Sequence, residues 1–378
     1  IQELRKIYEY AKQEKNVSQM MKAHLTRASL CIDITPDSLD SELSALKAWM
    51  EEEKDTVYQA ILNNLLGYYI LDTGKKDETA IDTAIAYFQR SLQDKEILFR
   101  KSAVDYRPMT NSKELSEKYC GDNMYQLLAR QAISRLSGYF IANPVSAEKI
   151  QTEILSIYDG LIDFYRQQGM TDARLLLMLD KLHYKGNDVS RGGVNERLRL
   201  TDEQVITLLK QWAEEFADSP LCGEVYCQLA ERYDRMQDYT AKLKAAQTGL
   251  AKYPRSLSAN DLKEQIAEVL TPRLMVEIPF AYPGKDVDLK VKYRNLAGLT
   301  VELYRMNLPV TSPVLEREIN ASTLSQYGKL VSSRHYDLAA TPDYKETDTL
   351  LRYKFPVEGI YVVKSIPDGH RKYTAYGK

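Results

Sequence analysis

The hydrophobic rhythm of this chain changes at Pro272. Before that residue, apolar side chains recur every three or four positions, which is the spacing of amphipathic helices. After it they alternate with polar side chains, which is the spacing of half-buried strands, as in Val287, Leu289, Val291 and Tyr293. Because one segment cannot satisfy both periods, we predict a multidomain protein, with α-helices over residues 1–271 and β-strands over residues 272–378.

Length and charge restrict the possible functions. The chain has 378 residues, enough for two or three domains, and 51 basic and 53 acidic residues with a net charge of −2. This balance provides no attraction to nucleic acid, so no such partner is expected. No apolar run approaches the roughly 20 residues that cross a bilayer, so no membrane-spanning segment is expected. The start at Ile1, without Met or signal peptide, suggests a mature or trimmed fragment.

The helical part is predicted to consist of stacked helix pairs. In residues 201–216, Thr201 and Gln204 can form a capping box, in which each side chain satisfies the backbone N–H of the other. Pro220 and Pro254 then end two successive units 34 residues apart, which is the period of a tetratricopeptide repeat. This unit resembles the repeat at Tyr226, Leu229, Ala230, Tyr233 and Pro254, and departs from it at Lys242, Ala246 and Gly249.

A weaker copy covers residues 58–92. Its Leu66-Gly67 resembles the Leu-Gly pair of the first helix of the repeat, and Ala84, Phe88 and Ser91 resemble the second helix. Further helices are predicted from apolar stripes, which include Leu4, Ile7, Tyr8 and Ala11; Met20, Met21, Leu25 and Ala28; Leu43, Leu46 and Trp49; Leu127, Leu128, Ile133 and Leu136; Ile150, Ile154, Tyr158, Ile162 and Tyr165; residues 175–182; and residues 258–270. One pair cannot bury its own apolar face, so the sequence predicts a stacked array with an extended surface for peptides or neighbouring domains.

Two interruptions of the helical pattern, residues 105–113 and 186–200, are predicted to be surface loops. The second contains Ser190-Arg191-Gly192-Gly193. A Gly-Gly pair with an arginine can bind an anion, but the spacing of a phosphate-binding loop is missing. An ordinary loop is therefore the preferred interpretation.

The last 105 or so residues are predicted to form about seven short strands, the number and spacing of an immunoglobulin-like β-sandwich. Tyr282-Pro283-Gly284 is a turn signal within this part. The strand candidates are residues 274–278, 287–293, 299–306, 329–338, 347–355, 359–366 and, marginally, 372–376. Neither Cys nor Trp occurs here, so the disulfide and tryptophan that pin antibody domains are absent.

Three segments of this part carry a family resemblance: Ala281-Tyr-Pro-Gly-Lys-Asp-Val-Asp-Leu-Lys-Val-Lys-Tyr-Arg-Asn295, Leu299-Thr-Val-Glu-Leu-Tyr-Arg305 and Gly359-Ile-Tyr-Val-Val363. They resemble the first macroglobulin domain of large bacterial alpha-macroglobulin-like proteins. The type with helical repeats ahead of that domain is similar to proteins of gut Bacteroidetes. The resemblance implies a macroglobulin-type sandwich in the N-terminal piece of a very large envelope protein, periplasmic and lipid-anchored upstream, that traps or inhibits endopeptidases.

No catalytic, cofactor-binding or metal-binding residue is predicted, and the chain is expected not to be an enzyme. The triplet Cys222-Gly223-Glu224 imitates the Cys-Gly-Glu-Gln thioester motif of the family, but Val225 replaces the glutamine whose carbonyl forms the thioester. No thioester is therefore expected. His24, His183, His335 and His370 lack metal-ligand spacing, and common hydrolase, metalloprotease and nucleotide motifs are missing.

Three functions remain open. The first is a non-catalytic scaffold and interaction segment of an alpha-macroglobulin-like inhibitor, with proteases or neighbouring domains of the same chain as partners. The second is a stand-alone repeat module that binds a peptide or protein in its groove. The third is a surface glycan-binding protein, which would require an aromatic platform.

Overall fold

The structure is a computed structural model, and it describes residues 2–34, 39–73, 78–109, 117–138, 144–186, 200–279, 282, 284–317 and 319–377. The chain divides into two compact units, Ile1–Leu221 and Cys222–Lys378. The first unit is helical, whereas the second begins with helices and continues as strands. The expected order of α-structure followed by β-structure is confirmed.

The first unit consists of eleven α-helices within the described residues, and a short 3₁₀ helix, Ala103–Met109, follows the sixth. The α-helices are α1 Gln2–Gln13, α2 Val17–Ile34, α3 Leu39–Glu52, α4 Thr56–Thr73, α5 Glu78–Ser91, α6 Lys95–Phe99, α7 Glu117–Cys120, α8 Met124–Gly138, α9 Pro144–Gln167, α10 Thr171–Gly186 and α11 Asp202–Glu215. Part of the predicted loop at 105–113 is thus helical. Almost all of the predicted loop at 186–200 lies outside the described residues.

The core of the first unit comes from the predicted apolar stripes. Leu66 and Phe88 are fully buried between α4 and α5. Gly67 packs directly on the Phe88 ring, since a Cβ at Gly67 would lie 3.0 Å from it. The stripe of α1 is less complete, because Ala11 is buried but Ile7 remains 48% exposed.

Hydrogen bonds of one buried asparagine, Asn64, connect three of these helices inside the core. The Asn64 side-chain amide on α4 donates to Ser91 Oγ on α5, at 3.2 Å, and to the carbonyl of Leu128 on α8, at 3.1 Å. All its partners are buried, so the amide is satisfied without water. This arrangement fixes the position of α8 against the α4–α5 pair.

The second unit opens with α12 Cys222–Arg235, α13 Tyr239–Lys252 and α14 Ala259–Leu270. Gly249 lets α13 approach α12, because a Cβ there would lie 2.5 Å from that of Tyr226. Lys242, one of the three residues that depart from the repeat, is 2% exposed. Its ammonium donates to Asp234 on α12 and Glu268 on α14, each at 2.7 Å. The lysine therefore connects all three helices.

Seven strands follow within the residues that the structure describes, and they form two antiparallel sheets. The strands are β1 Arg273–Glu277, β2 Asp286–Arg294, β3 Gly298–Met306, β4 Gly328–Asp337, β5 Thr347–Lys354, β6 Tyr361–Pro367 and β7 Ala375–Gly377. One sheet has the order β1-β2-β5 and the other β4-β3-β6-β7. Each predicted strand is found, with bounds shifted by a few residues.

The core of the sandwich lies between the two sheets. Its largest members include Leu289 and Tyr293 of β2, Val301 and Leu303 of β3, and Tyr353 of β5. Alternate residues of β2 are buried, as the period-two pattern requires. The Tyr353 hydroxyl crosses the core and donates to the carbonyl of Val301 at 3.3 Å.

The sequence pattern did not predict the short helix α15, Ala321–Tyr327, which connects β3 to β4. Leu324 of α15 packs with Met306, Ile319 and Val362 in a small second core. Seven residues are too few for a recognisable helical period, although Asn320 caps the helix by accepting from the Thr323 N–H.

The change of period at Pro272 falls inside the second unit, not between the two units. Helices α12–α14 thus share a compact unit with the strands. The proposed domain boundary at 271/272 stays a prediction. None of the helices in the described part of the chain is long and apolar enough to cross a membrane.

Candidate functional site

The connection between β2 and β3 caps the end of helix α14. Arg294 Nη2 donates to the carbonyl of Glu268, and Asn295 Nδ2 donates to the carbonyl of Val269, both at 2.7 Å. Thr271 adds backbone and hydroxyl bonds to the carbonyl of Ala267. The last carbonyls of a helix lack partners within it, so these contacts satisfy groups that would otherwise need water. We call Arg294, Asn295 and the α14 terminus the helix–sandwich joint.

Both side chains of the joint are held in place. Asn295 has a left-handed φ of 55°, a conformation that asparagine tolerates better than most residues, and its N–H donates to Thr341 Oγ1 at 3.0 Å. Arg294 is 5% exposed. Burial, together with the positive charge of Arg273, lowers the pKa of Arg294. The guanidinium nevertheless stays charged, because its reference pKa is above about 12.

An apolar cleft lies in the first unit, beside helices α9, α10 and α11. It has a volume of about 230 Å³ and is lined by Asp159, Ile162, Met178, Lys181, Leu182, Leu200, Leu208 and Trp212. The ion pair of Lys181 and Asp159 lies on its rim. Leu208 and Trp212 of α11 are only half-buried, because they line this cleft.

The predicted capping box of α11 is confirmed and positions Trp212. Thr201 N–H donates to Gln204 Oε1 at 2.9 Å, and Gln204 N–H donates to Thr201 Oγ1 at 3.3 Å. At the other end of α11, Arg174 of α10 pairs with Glu215 at 2.8 Å. The helix is thus fixed at both ends, which keeps the aromatic wall of the cleft in place.

The triplet Cys222-Gly223-Glu224 lies in the first turn of α12. The Cys222 side chain is buried, and burial raises the pKa of its thiol. Gly223 packs against Ser256, and the Glu224 carboxylate accepts hydrogen bonds from the backbone and hydroxyl of Ser258. These contacts give the triplet a packing role in the helix pair. The prediction that it forms no thioester stays a prediction.

His24 lies in a buried polar cluster of the first unit. It is 3% exposed, and its Nδ1 lies 3.6 Å from Glu42 Oε2, which also accepts from Arg27 Nε at 2.7 Å. The rings of Tyr8 and Trp49 lie about 6 Å from the imidazole. Burial, reinforced by the charge of Arg27, lowers the pKa of His24 to about 4. The histidine is therefore neutral near pH 7.

His335 forms an exposed pair with Asp368 in the second unit. Its Nε2 lies 2.8 Å from Asp368 Oδ2, and this hydrogen bond raises the pKa of His335. The pair borders a polar cleft of about 610 Å³ on the four-stranded sheet, which includes Glu302, Lys364 and Arg371. Lys364 donates to Glu302 at 2.8 Å within the cleft. The chemistry of this cleft suits a polar ligand.

The remaining predicted features are scattered. His183 is exposed on α10, and the centre of the His370 ring lies 6.3 Å from that of the tilted Tyr373 ring. Among the residues that the structure describes, no group of three or more His, Cys, Asp or Glu side chains could hold a metal ion. The Arg191-Gly192-Gly193 segment lies outside the described residues.

Two comparisons with known proteins gave no match. No protein-family model matches it. No curated protein matches it at a significant level. Functional inference therefore depends on the sequence patterns and on the geometry described above.

Sequence reasoning missed the helix–sandwich joint and the His335–Asp368 pair. A signal for the first was present, since Arg294 and Asn295 follow directly after a predicted strand. Nothing in the local pattern, however, indicates that their partners are helix carbonyls 26 residues earlier. His335 and Asp368 are 33 residues apart and meet only because β4 and β6 both flank β3.

Proposed function

We propose that this chain is a non-catalytic scaffold and interaction segment of a large alpha-macroglobulin-like protein of the cell envelope, with a role in endopeptidase inhibition. The single observation that carries the proposal is where the three segments of the family resemblance lie in the fold. They supply β2, most of β3 and the first half of β6. These are the central strands of the two sheets, the part of a sandwich that defines its core.

The strand order supports an immunoglobulin-like assignment. In the constant-type immunoglobulin domain the fourth strand pairs with the fifth, whereas in this chain β4 pairs with β3 instead. The result is a three-stranded and a four-stranded sheet, a variation within the same sandwich architecture. The 34-residue unit of α12 and α13, with Gly249 packed on Tyr226, likewise supports the tetratricopeptide-like assignment of the helices.

The helix–sandwich joint supports a scaffold role. A scaffold that holds successive domains in fixed positions needs a stiff connection. The joint supplies two hydrogen bonds that link residues before Pro272 to residues after it. Neither Arg294 nor Asn295 is arranged to act on a substrate, because both side chains are occupied by backbone carbonyls.

Two measurements test this proposal. The purified chain is mixed in increasing molar ratio with a set of endopeptidases, and we expect the protease activity to be unchanged, because inhibition in such proteins comes from a bait segment and large domain movements. The open reading frame around the natural gene is then sequenced, and we expect a lipoprotein signal upstream and macroglobulin domains downstream. Stoichiometric inhibition by this chain, or flanking regions without those domains, would contradict the proposal.

A second candidate function, peptide or protein capture by the helical part, is favoured by the apolar cleft beside Trp212. Replacement of Leu208 by Asn would make the wall of the cleft polar, whereas Gln211→Asn changes an exposed residue of the same helix. In a pull-down from periplasmic extract, a true ligand of the cleft is retained by wild type and Gln211→Asn but lost with Leu208→Asn. Equal capture by all three proteins would exclude this function for the cleft.

A further inference from the structure

Strand β5 forms an open edge of the three-stranded sheet. All eight of its residues, Thr347–Lys354, pair with β2 on one side without a break in register. On its other side, no backbone hydrogen bond to β5 is found in the part of the chain that the structure describes. A regular open edge presents a row of free N–H and C=O groups, which is a template for an added strand.

The other edges of the sandwich are less suited to this role. Strand β4 has a bulge at Val331, where the register shifts between Leu303 and Tyr304 of its partner β3. Bulges twist an edge and interrupt its hydrogen-bonding groups. Strand β7 has only three residues, and β1 lies beside it, since a Cβ at Gly377 would lie 2.5 Å from Ile278. Strand β5 is therefore the longest regular edge in the described part of the sandwich.

The outward-facing side chains of β5 follow a symmetric pattern. Glu346, the residue directly before β5, and Asp348 come first, Leu350 lies in the centre, and Arg352 and Lys354 follow. All five are exposed, and Leu350 exposes 63% of its surface. Acidic residues thus precede the leucine at the same distances at which basic residues follow it.

We propose that a second copy of this chain pairs antiparallel with β5, with the two-fold axis at Leu350, to form a continuous six-stranded sheet. In that register Leu350 lies opposite the partner's Leu350. Asp348 lies opposite the partner's Arg352, and Glu346 lies opposite the partner's Lys354. Each charged pair occurs twice because the interface is isologous. Opposite charges directly across an antiparallel pair stabilise it, whereas like charges destabilise it.

The same side chains exclude the alternative alignments. A parallel pairing in register would place Asp348 beside Asp348 and Arg352 beside Arg352 of the two copies. Every pair of charged side chains across the interface would then be repulsive. A shift of the antiparallel register by two residues in either direction would place Leu350 opposite a charged residue. Of these alignments, only the antiparallel one centred on Leu350 places leucine opposite leucine and each charged side chain opposite one of the other sign.

The interface is small. One strand pair buries far less surface than the roughly 800 Å² per partner of a standard stable complex. The dimer is therefore expected to form reversibly with rising concentration. It is also expected to weaken with added salt, since the charged pairs are exposed.

Sedimentation velocity of the purified chain over a wide concentration range tests the proposal. We expect a monomer–dimer equilibrium for the wild type. Leu350→Lys places two like charges on the two-fold axis and should weaken dimerisation by about tenfold or more. The matched control is Met275→Lys, which introduces the same charge on the outward face of β1, where Met275 is 56% exposed. This control should dimerise like the wild type.

A charge exchange distinguishes the proposed register from a general effect on folding. Arg352→Asp places Asp348 opposite an acidic residue and should weaken the dimer. The double variant Asp348→Arg with Arg352→Asp restores opposite charges between the copies, although two contacts within one chain are lost, that of Arg352 with Asp288 and that of Asp348 with Lys290. We expect the double variant to recover dimerisation. A wild type that is monomeric throughout, a dimer unaffected by Leu350→Lys, or no recovery in the double variant would overturn the proposal.

Discussion

Arg294 Nη2 donates a hydrogen bond to the carbonyl oxygen of Glu268 at 2.7 Å, so a residue at the end of a strand caps the end of a helix. The C-terminus of a helix carries partial negative charge, which favours a cation there. The neighbouring Asn295 repeats the contact on Val269. The helices and strands of the second unit are therefore connected by partly buried polar contacts at the point where the sequence period changes.

Loss of this contact should destabilise the second unit. Arg294→Ala removes a buried, charged donor from the carbonyl of Glu268, and we expect the free energy of unfolding to fall by about 2 kcal/mol. Urea-induced unfolding followed by circular dichroism measures the change. The control is Arg273→Ala, an exposed arginine that pairs with Glu346, for which a change under about 0.5 kcal/mol is expected. An equal effect of both substitutions would argue against the joint.

Lys242 should contribute more to stability than other lysines of α13. Burial acts to lower the pKa of its ammonium, but the hydrogen bonds to Asp234 and Glu268 outweigh burial and the pKa is raised. Lys242→Ala, which restores the small residue of the repeat, should cost about 1–3 kcal/mol, because two charged hydrogen bonds are lost while both acidic partners remain partly exposed. The control is Lys244→Ala, on the exposed side of α13, which should change thermal stability little. An increase in stability on Lys242→Ala would contradict this account.

The first unit should lose stability in acid through His24. Its pKa of about 4 in the folded protein lies below the ordinary value of 6.5, so the unfolded chain binds the proton more tightly. The part of the free energy of unfolding that depends on neutral His24 is fully present above pH 6.5 and falls as the pH drops towards 4. The total loss amounts to about 3 kcal/mol. Unfolding measured at both ends of this range should show a smaller pH dependence for His24→Gln. An unchanged pH dependence in this variant would show that other groups account for the effect.

Gly298 should be needed for the pair of His335 and Asp368. A Cβ at Gly298 would overlap Asp368 Oδ2 and lie 3.0 Å from His335 Nε2, so Gly298→Ala must displace the carboxylate. The pKa of His335 is raised by that hydrogen bond, and we expect it to return towards 6.5 in the variant. Nuclear magnetic resonance titration of the imidazole protons measures this shift.

Two further variants separate the effects of Asp368 and Asp337 on the pKa of His335. Asp368→Asn should reproduce the drop in the pKa of His335. Asp337→Asn should have a smaller effect, because Asp337 lies 3.9 Å from His335 Nδ1 and its contribution is the smaller one. A pKa of His335 that is unaffected by Asp368→Asn would show that the pair does not form in solution.

Much of the fold could be predicted from local sequence alone. The period of apolar residues identified the helices α12–α14 and all seven strands, because burial of one face imposes a period of 3.6 on a helix and 2 on a strand. The capping box of Thr201 and Gln204 could be predicted for the same reason, since both partners lie within one helical turn. The short helix α15 was missed because seven residues do not establish a period.

The sequence by itself determined the order of helices and strands, since hydrophobic periods and helix caps are local properties of the chain. Only the tertiary structure decided that Arg294 caps α14, that Lys242 joins three helices, that His24 is buried against Arg27 and Glu42, and that β4 pairs with β3 and leaves β5 as an open edge. These features depend on which residues meet across long separations along the chain. Such meetings depend on how the elements pack together, and a local pattern does not contain that information.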